Sequence, residues 1–352
     1  MLLLTPPAEP AAAEPDPSGV VAAFARSSEN RGPRGAAAAT PAAAAPSATV
    51  VVCTRNRAEG LRRALESLTK LNTTGLRADV LVVDNGSTDH TARVVEEVAA
   101  ASPIPVRRVF EPVPGIAHAR QRGVRESRGE WIASFDDDQL AESDWLRELF
   151  ALAREKNVRF VGGRVTLSLP DGHADRPLAP FTRMLLGASV DMPAPRPYDV
   201  KTTPGAGNMM AHRSVFETVG AFDATLDRGE DTDFFMRALA AGVEAWYTPA
   251  ALVHHCIPET RMGDDYLYRI CDVIGNGTAE RDLDRFGRAR LPAMWVARLG
   301  QTALSLLPQW AFAKLFCDAE TERGRRCRLR VGGRYLIDGA RYAVGLPVVP
   351  PC

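Results

Sequence analysis

Four short apolar runs, most of them closed by polar residues and followed by a helical pattern, set the tightest limit on what this chain can fold into. Thr49-Val50-Val51-Val52-Cys53 is largely β-branched and suits a buried strand. Thr54-Arg55-Asn56-Arg57 turns the chain, and Leu61, Leu65 and Leu68 then share one helical face. Asp79 to Val83 repeats the unit and ends in Asp84-Asn85-Gly86-Ser87-Thr88-Asp89; Val94, Val95 and Val98 point inward from the next helix. Val106 to Phe110 is the third run, and Gly115 to Ser127 a helix with small residues on its buried side. Trp131-Ile132-Ala133-Ser134-Phe135 is the fourth; after it, Ser143 or Asp144 caps a helix carrying Leu146, Leu149, Phe150 and Ala153 on one face. Such alternation predicts a mostly parallel sheet flanked by helices, with right-handed crossovers and ligands beyond the carboxyl ends of the strands.

The fourth run ends in Asp136-Asp137-Asp138. Three adjacent carboxylates repel one another, and a divalent cation with a preference for oxygen, Mg²⁺ or Mn²⁺, removes the repulsion. A solvated turn that caps the next helix is the plainer alternative. No GxGxxG follows the first run and no GxxxxGK[ST] occurs, so dinucleotide and P-loop readings lack their phosphate loops.

The second half reads as strands from Arg159 to Leu169, a long Pro-rich loop from Pro177 to Pro204, and a return to the sheet at Gly205 to Met210. Gly229-Glu230-Asp231-Thr232-Asp233 opens a helix bearing Phe234, Phe235 and Leu239. Carboxylates favour helix N-termini, so Glu230-Asp231 is the candidate for activating an acceptor; the alternative is Asp231 or Thr232 as no more than a helix cap. Val243–Tyr247 and Ala251–Ile257 read as two strands, with His255 in phase with Val253, and His254 with Cys256. Leu291 to Phe316 is apolar and aromatic, but Arg298, Gln301, Pro308 and Gln309 leave it short of a membrane span. The cluster Arg323, Arg325, Arg326, Arg328 and Arg330 is either a solvated basic face or, more sharply, a membrane-surface contact.

Composition adds boundaries. Residues 1–47 are dominated by Ala, Pro, Gly and Ser and read as a disordered leader. Residues 48–285 then form the main domain, with halves at 48–155 and 156–285, and 286–352 a helical C-terminal extension. Lys plus Arg equals Asp plus Glu at 43 each, so no global charge argues for nucleic acid. The 6 cysteines form no CxxC pair, which fits reduced thiols in the cytoplasm better than a zinc site or a disulfide framework.

Taken in order, Val51-Val52-Cys53-Thr54-Arg55-Asn56-Arg57, Val82 to Asp89, Gly115-Ile116-Ala117-His118-Ala119-Arg120, Phe135-Asp136-Asp137-Asp138, Gly207-Asn208-Met209, Gly229 to Asp233 and Val253-His254-His255 resemble the family-2 glycosyltransferases. The likeness covers roughly residues 48 to 280 and departs from the family at Gln139, where relatives often carry an apolar residue. It implies an α/β GT-A fold, with a Rossmann-like, mostly parallel sheet. It also implies an inverting, Mn²⁺- or Mg²⁺-dependent transfer of a sugar from a UDP-, GDP- or dTDP-sugar to a glycan, lipid-linked or small-molecule acceptor.

By that resemblance Asp136 and Asp138 form the metal-binding DxD pair, Asp136 also meeting the ribose, with Asp137 beside them. Asp84 contacts the nucleobase, or makes an Asx-type cap. Thr54, Arg55 and Arg57 stand where nucleotide phosphate or ribose would bind. Arg120 positions the nucleotide, braces the Asp cluster or makes a structural ion pair. Gly207 and Asn208 lie near donor sugar and acceptor, and Asp231 of the Glu230-Asp231 pair is the base. His255 completes the metal site or is a hydrogen-bonded structural residue. A polyprenyl-phosphate acceptor and a non-catalytic sugar-nucleotide binder are the competing readings.

Overall fold

The computed structural model describes residues 45–173, 176–226 and 229–346. Most of the expected leader lies outside the described residues; its last residue, Ser47, already opens the first strand.

The first half alternates as its pattern requires: β1 (Ser47–Thr54), α1 (Ala58–Leu68), β2 (Arg77–Asp84), α2 (Thr91–Ala101), β3 (Val106–Phe110), α3 (Ile116–Glu126) and β4 (Trp131–Asp136). β1 lies between β2 and β4, parallel to both, with Val51 opposite Leu81 on one side and Ser134 on the other. Its side chains alternate between two apolar layers. Val50 and Val52 meet α1 and α2, while Val51 joins Leu81, Val83 and Ile132 on the other face. Burying one such side chain contributes about 1.5 to 3 kcal/mol, more than a typical hydrogen bond, so the apolar faces fix where the polar strand ends must sit.

Next come β5 (Gln139–Ala141), α4 (Trp145–Lys156), β6 (Phe160–Ser168), α5 (Pro180–Leu185), β7 (Arg196–Pro197), β8 (Asn208–His212), α6 (Arg213–Val219), α7 (Glu230–Ala240) and β9 (Ala245–Cys256). The strand order is β3-β2-β1-β4-β8-β6-β9-β5, with β7 on β9. The longest ladders are parallel, but β8 enters antiparallel between β4 and β6.

β4 and β5 stand four places apart in this order, yet only Asp137 and Asp138 separate them in sequence. Four inter-strand steps in a flat sheet measure roughly 19 Å, whereas the chain from Asp136 to Gln139 reaches at most about 11 Å. The sheet must therefore curl until the end of β9, which pairs with β5, comes back beside the end of β4.

Several expectations are corrected. The two strands expected between Val243 and Ile257 are one, β9, carried past a register irregularity opposite Gly163 and Arg164. The Pro-rich loop contains α5 and β7. Asp144 is the N-cap of α4, but its carboxylate accepts from Asn72 and Arg147 and makes no cap bond.

The helical extension starts well before residue 286. A 3₁₀ turn (Glu259–Arg261) leads into α8 (Asp264–Gln301), which kinks at Gly287, where φ is 68°. A π-helical turn (Thr302–Leu306), α9 (Leu307–Phe316) and α10 (Ala319–Ala343) follow. An apolar cluster of Leu185, Leu186, Ile257, Met262, Leu267, Cys271 and Cys327 packs α8 and α10 on α5 and the end of β9.

The arginine cluster of α10 is not a uniformly solvated face. Arg323 and Arg326 hold Asp264, and Arg330 holds Asp272, so three of the five arginines stitch α10 to α8. Among the described residues no helix is long and apolar enough to cross a membrane.

Candidate active site

A cavity of about 580 Å³ opens where β1, β4 and β9 end. Thr54, Arg55, Arg57, Arg120, Asp136, Asp137, Asp138 and His255 line it, so most of the expected donor-site residues share one space.

The three aspartates are held differently. Asp137 is 5% exposed. Its Oδ2 accepts from the Thr54 hydroxyl at 2.7 Å, and its Oδ1 from Arg57 Nη1 at 2.7 Å. Burial pushes its carboxyl up to about 6, against the opposing pull of Arg57 and Thr54. Asp138 Oδ2 accepts from Arg57 Nη2 at 2.9 Å and meets His255 Nε2 at 3.2 Å and Arg261 Nη1 at 3.3 Å. Burial works against ionisation there too, but His255 and Arg57 hold the carboxyl well below the usual carboxylate range. Asp136 is the open one: its side chain is 40% exposed, and Oδ1 accepts from Arg120 Nη2 at 3.3 Å.

Arg120 is a hub. One nitrogen meets Asp136 and the other pairs with Glu230 of α7. Glu230 is buried on Arg120 and does not line the cavity. Asp231, next on α7, is part-exposed; its Oδ1 accepts from Thr232 N–H at 2.7 Å and its Oδ2 from Ala206 N–H at 3.2 Å. That second bond ties the helix start to the Gly205–Gly207 loop. A Cβ at Gly207 would lie 2.4 Å from Asp136 Oδ2, so this glycine leaves a site carboxylate its room.

Two other expected residues lie behind the cavity wall. Asn208 turns its amide inward, accepting from Trp145 Nε1 at 2.8 Å and donating to the carbonyls of Arg164 and Ala251 at 2.9 Å. Asp84 is buried at the end of β2; it accepts from Ser87 N–H and from Arg108 Nη1, both at 2.9 Å. The first closes a turn in the loop after β2; the helix cap that the sequence allowed for is not made, because α2 begins at Thr91 with His90 as its N-cap.

Arg261 and Asn85 line the cavity without having been singled out as site residues. Arg261 comes from the 3₁₀ turn after β9, and a lone arginine after a strand has no spacing signature. Asn85 donates to the carbonyls of Glu111 and Val113 and accepts from Gly115 N–H at 2.9 Å, so it shapes the entry to α3. Cys53 also lines the space, but burial pushes its thiol up to about 12, which keeps it protonated and a poor nucleophile.

Asp136, Asp138 and His255 form a donor set of a kind that suits Mn²⁺ or Mg²⁺. In the arrangement present, the Asp138 oxygen is already served by two guanidinium groups and an imidazole. Among the described residues no three His, Cys, Asp or Glu side chains stand ready as a cation cage. The donors fit a divalent ion in type, and such an ion would exchange for the guanidinium contacts.

Residues 49–220 match Glycosyl transferase family 2. The pre-mycofactocin glycosyltransferase of Mycobacterium tuberculosis is 32% identical over 212 residues, 59% of this chain, which spans 42% of that protein's length. The succinoglycan biosynthesis protein ExoM of Rhizobium meliloti is 30% identical over 214 residues, 60% of this chain and 67% of that one. The mannosyltransferase PcManGT of Pyrobaculum calidifontis, solved with GDP-Man and Mn²⁺, superposes with a TM-score of 0.53 over 87% of this chain and 91% of its own. At 21% identity that likeness speaks to the fold, which is of the GT-A type. The strand-end carboxylates, the helices that frame them and the relatives that share their stretch of sequence agree: this chain belongs to glycosyltransferase family 2.

Proposed function

We propose that the protein transfers a sugar from a nucleotide-sugar donor to an acceptor hydroxyl, with inversion at the anomeric carbon. The observation that carries this is the cavity itself: three strand-end carboxylates share it with Arg55, Arg57, Arg120 and Arg261. Guanidinium groups suit a diphosphate, and the shape of the site keeps them beside groups that would otherwise repel it. Bound Mn²⁺ or Mg²⁺, held by Asp138 and Asp136 with His255, would neutralise charge on the leaving diphosphate. Arg57 and Arg261 orient the donor, and Arg120 keeps Asp136 and α7 in register. The acceptor oxygen bonds to the anomeric carbon while the bond from that carbon to the phosphate oxygen breaks. The electron pair leaves with the diphosphate, and the hydroxyl proton passes to Asp231.

Asp231 also supports a second reading. Both its oxygens already accept backbone N–H bonds, from Ala206 and Thr232, which gives it a structural role at the start of α7. A polyprenyl-phosphate acceptor is anionic already and needs no base. Asp231→Asn separates the two. With a hydroxyl acceptor, turnover should fall by roughly 10² to 10⁴-fold while nucleotide binding by calorimetry stays unchanged. Near-normal turnover would remove Asp231 as the base.

The donor is identified by a panel of UDP-, GDP- and dTDP-sugars with Mn²⁺, read as donor hydrolysis and nucleotide-induced thermal shift. A panel with neither response overturns the transfer reading.

A further inference from the structure

A second cavity, of about 230 Å³, lies away from the carboxylates, between α8, the π-helical turn and α10. Phe181, Arg298, Thr302, Leu306, Arg328 and Tyr335 are among its walls. Its two arginines differ from their neighbours. Arg323, Arg326 and Arg330 each hold an aspartate, whereas among the described residues neither Arg298 nor Arg328 makes an ion pair.

Arg298 stands over the Tyr335 ring and donates through Nη1 to Gln301 Oε1, but its buried Nε has no hydrogen-bond partner among the described residues. Arg328 stands over Phe181. Partial burial, with repulsion from Arg325, makes it less basic than usual. Two cations without an anion therefore share one small, partly apolar space.

The helical run that forms one wall leaves apolar side chains in solvent. Leu306 faces the cavity, while Leu304 on the same turn is 84% exposed. Leu307, Phe312, Leu315 and Phe316 follow, all exposed, and the rings of Phe312 and Phe316 lie 5.0 Å apart. Lys314 stands over Trp310 between them, an aromatic and basic pairing that suits the boundary between head groups and acyl chains. Five large apolar side chains exposed between Leu304 and Phe316 are more than scattered surface hydrophobics, and such clustering marks an interaction site. Irregular π-turns of this kind also recur where helices carry a function.

We propose that this face docks on a membrane, with the cavity taking the phosphate of an anionic lipid and Leu304, Leu307, Phe312, Leu315 and Phe316 entering the acyl boundary. Charge complementarity selects the occupant: a neutral surface would satisfy the leucines and phenylalanines but leave Arg298 and Arg328 without a counter-ion.

The test is co-sedimentation of the full chain with phosphatidylcholine vesicles, with and without phosphatidic acid. The protein should bind the anionic vesicles and bind neutral ones weakly. Arg298→Gln with Arg328→Gln should weaken anionic binding about 25-fold, at roughly fivefold per cation. Leu304→Ser with Phe316→Ser should weaken binding to both. Arg328→Gln alone, a change at an exposed side chain, keeps the test valid if the double variant melts early. Equal binding to neutral and anionic vesicles, or unchanged binding in the arginine variants, overturns the proposal. So does inorganic pyrophosphate bound in calorimetry by a protein that ignores vesicles, or self-association through this face in place of vesicle binding. No sugar nucleotide enters the assay, so its outcome is independent of the transfer reading.

Discussion

At the strand ends one aspartate oxygen is shared by several partners: Asp138 Oδ2 meets the guanidinium groups of Arg57 and Arg261 and the His255 imidazole. Between the C-terminal helices the oxygens are divided out. Asp264 gives Oδ1 to Arg323 and Oδ2 to Arg326, and Asp272 takes Arg330 through both of its oxygens. The residue types are the same, but a guanidinium in a shared set can leave for another anion without abandoning the carboxylate. In the divided set each departure strips an oxygen of its guanidinium, leaving Asp264 Oδ2 only the Tyr268 hydroxyl if Arg326 goes. The first arrangement suits exchange with a ligand and the second suits holding helices together.

Four substitutions strain that contrast. Asp138→Ala should have the largest effect: transfer falls to background while the melting temperature stays within a few degrees, because the charge removed lay at a cavity and not in the core. Retained activity, or wild-type activity that survives exhaustive chelation, would break the comparison at its first term. Arg323→Ala comes next, in the other currency. Arg323 is 6% exposed and also donates to the Met262 carbonyl, so its loss should cost about 2 to 3 kcal/mol in denaturant unfolding, with donor binding unaltered. A stability change below about 0.5 kcal/mol would mean that the pair does no more than an exposed one.

Arg261→Ala should weaken nucleotide binding by roughly tenfold, the value of one charge-assisted contact, and leave unfolding unchanged. A loss of stability without a loss of affinity would move Arg261 into the structural set. The smallest effect is expected at Arg330→Ala. Its side chain is 44% exposed, and the bidentate pair with Asp272 should contribute at most about 1 kcal/mol. A larger drop in chemical denaturation would show that exposed pairs on α10 act as a network.

The parts of this arrangement that could be read from the sequence are local ones. Val50 to Val52 and Trp131 to Phe135 declare buried strands by composition, and the carboxylates after Phe135 declare a polar strand end, although only Asp136 among them is left open. What escaped depends on partners far along the chain. The antiparallel entry of β8 beside β4 pairs Trp131 with His212, and nothing near either residue announces it. Arg261 meets Asp138 only because the sheet curls. The arginines of α10 were open to reading as a solvated face because Asp264 and Asp272 lie some sixty residues earlier, on a helix whose start was expected later. Glu230 has the composition of a catalytic pair, but whether it faces an acceptor or Arg120 is decided by how α7 packs on α3.

The curl of the sheet bears on how far this domain can be divided. The ring runs from β4 through β8, β6 and β9 to β5, and is closed by the two residues Asp137 and Asp138. A fragment ending at Lys156 would contain all three aspartates, Thr54, Arg57 and Arg120, yet would lack the strands that bring His255 and Arg261 to Asp138. A fragment beginning at Phe160 would hold the histidine and that arginine with no aspartate to meet. The chemistry therefore belongs to neither half as a module that could be grafted or inherited alone. Any rearrangement of this gene that parted β5 from β9 would discard the site while sparing most of the sheet.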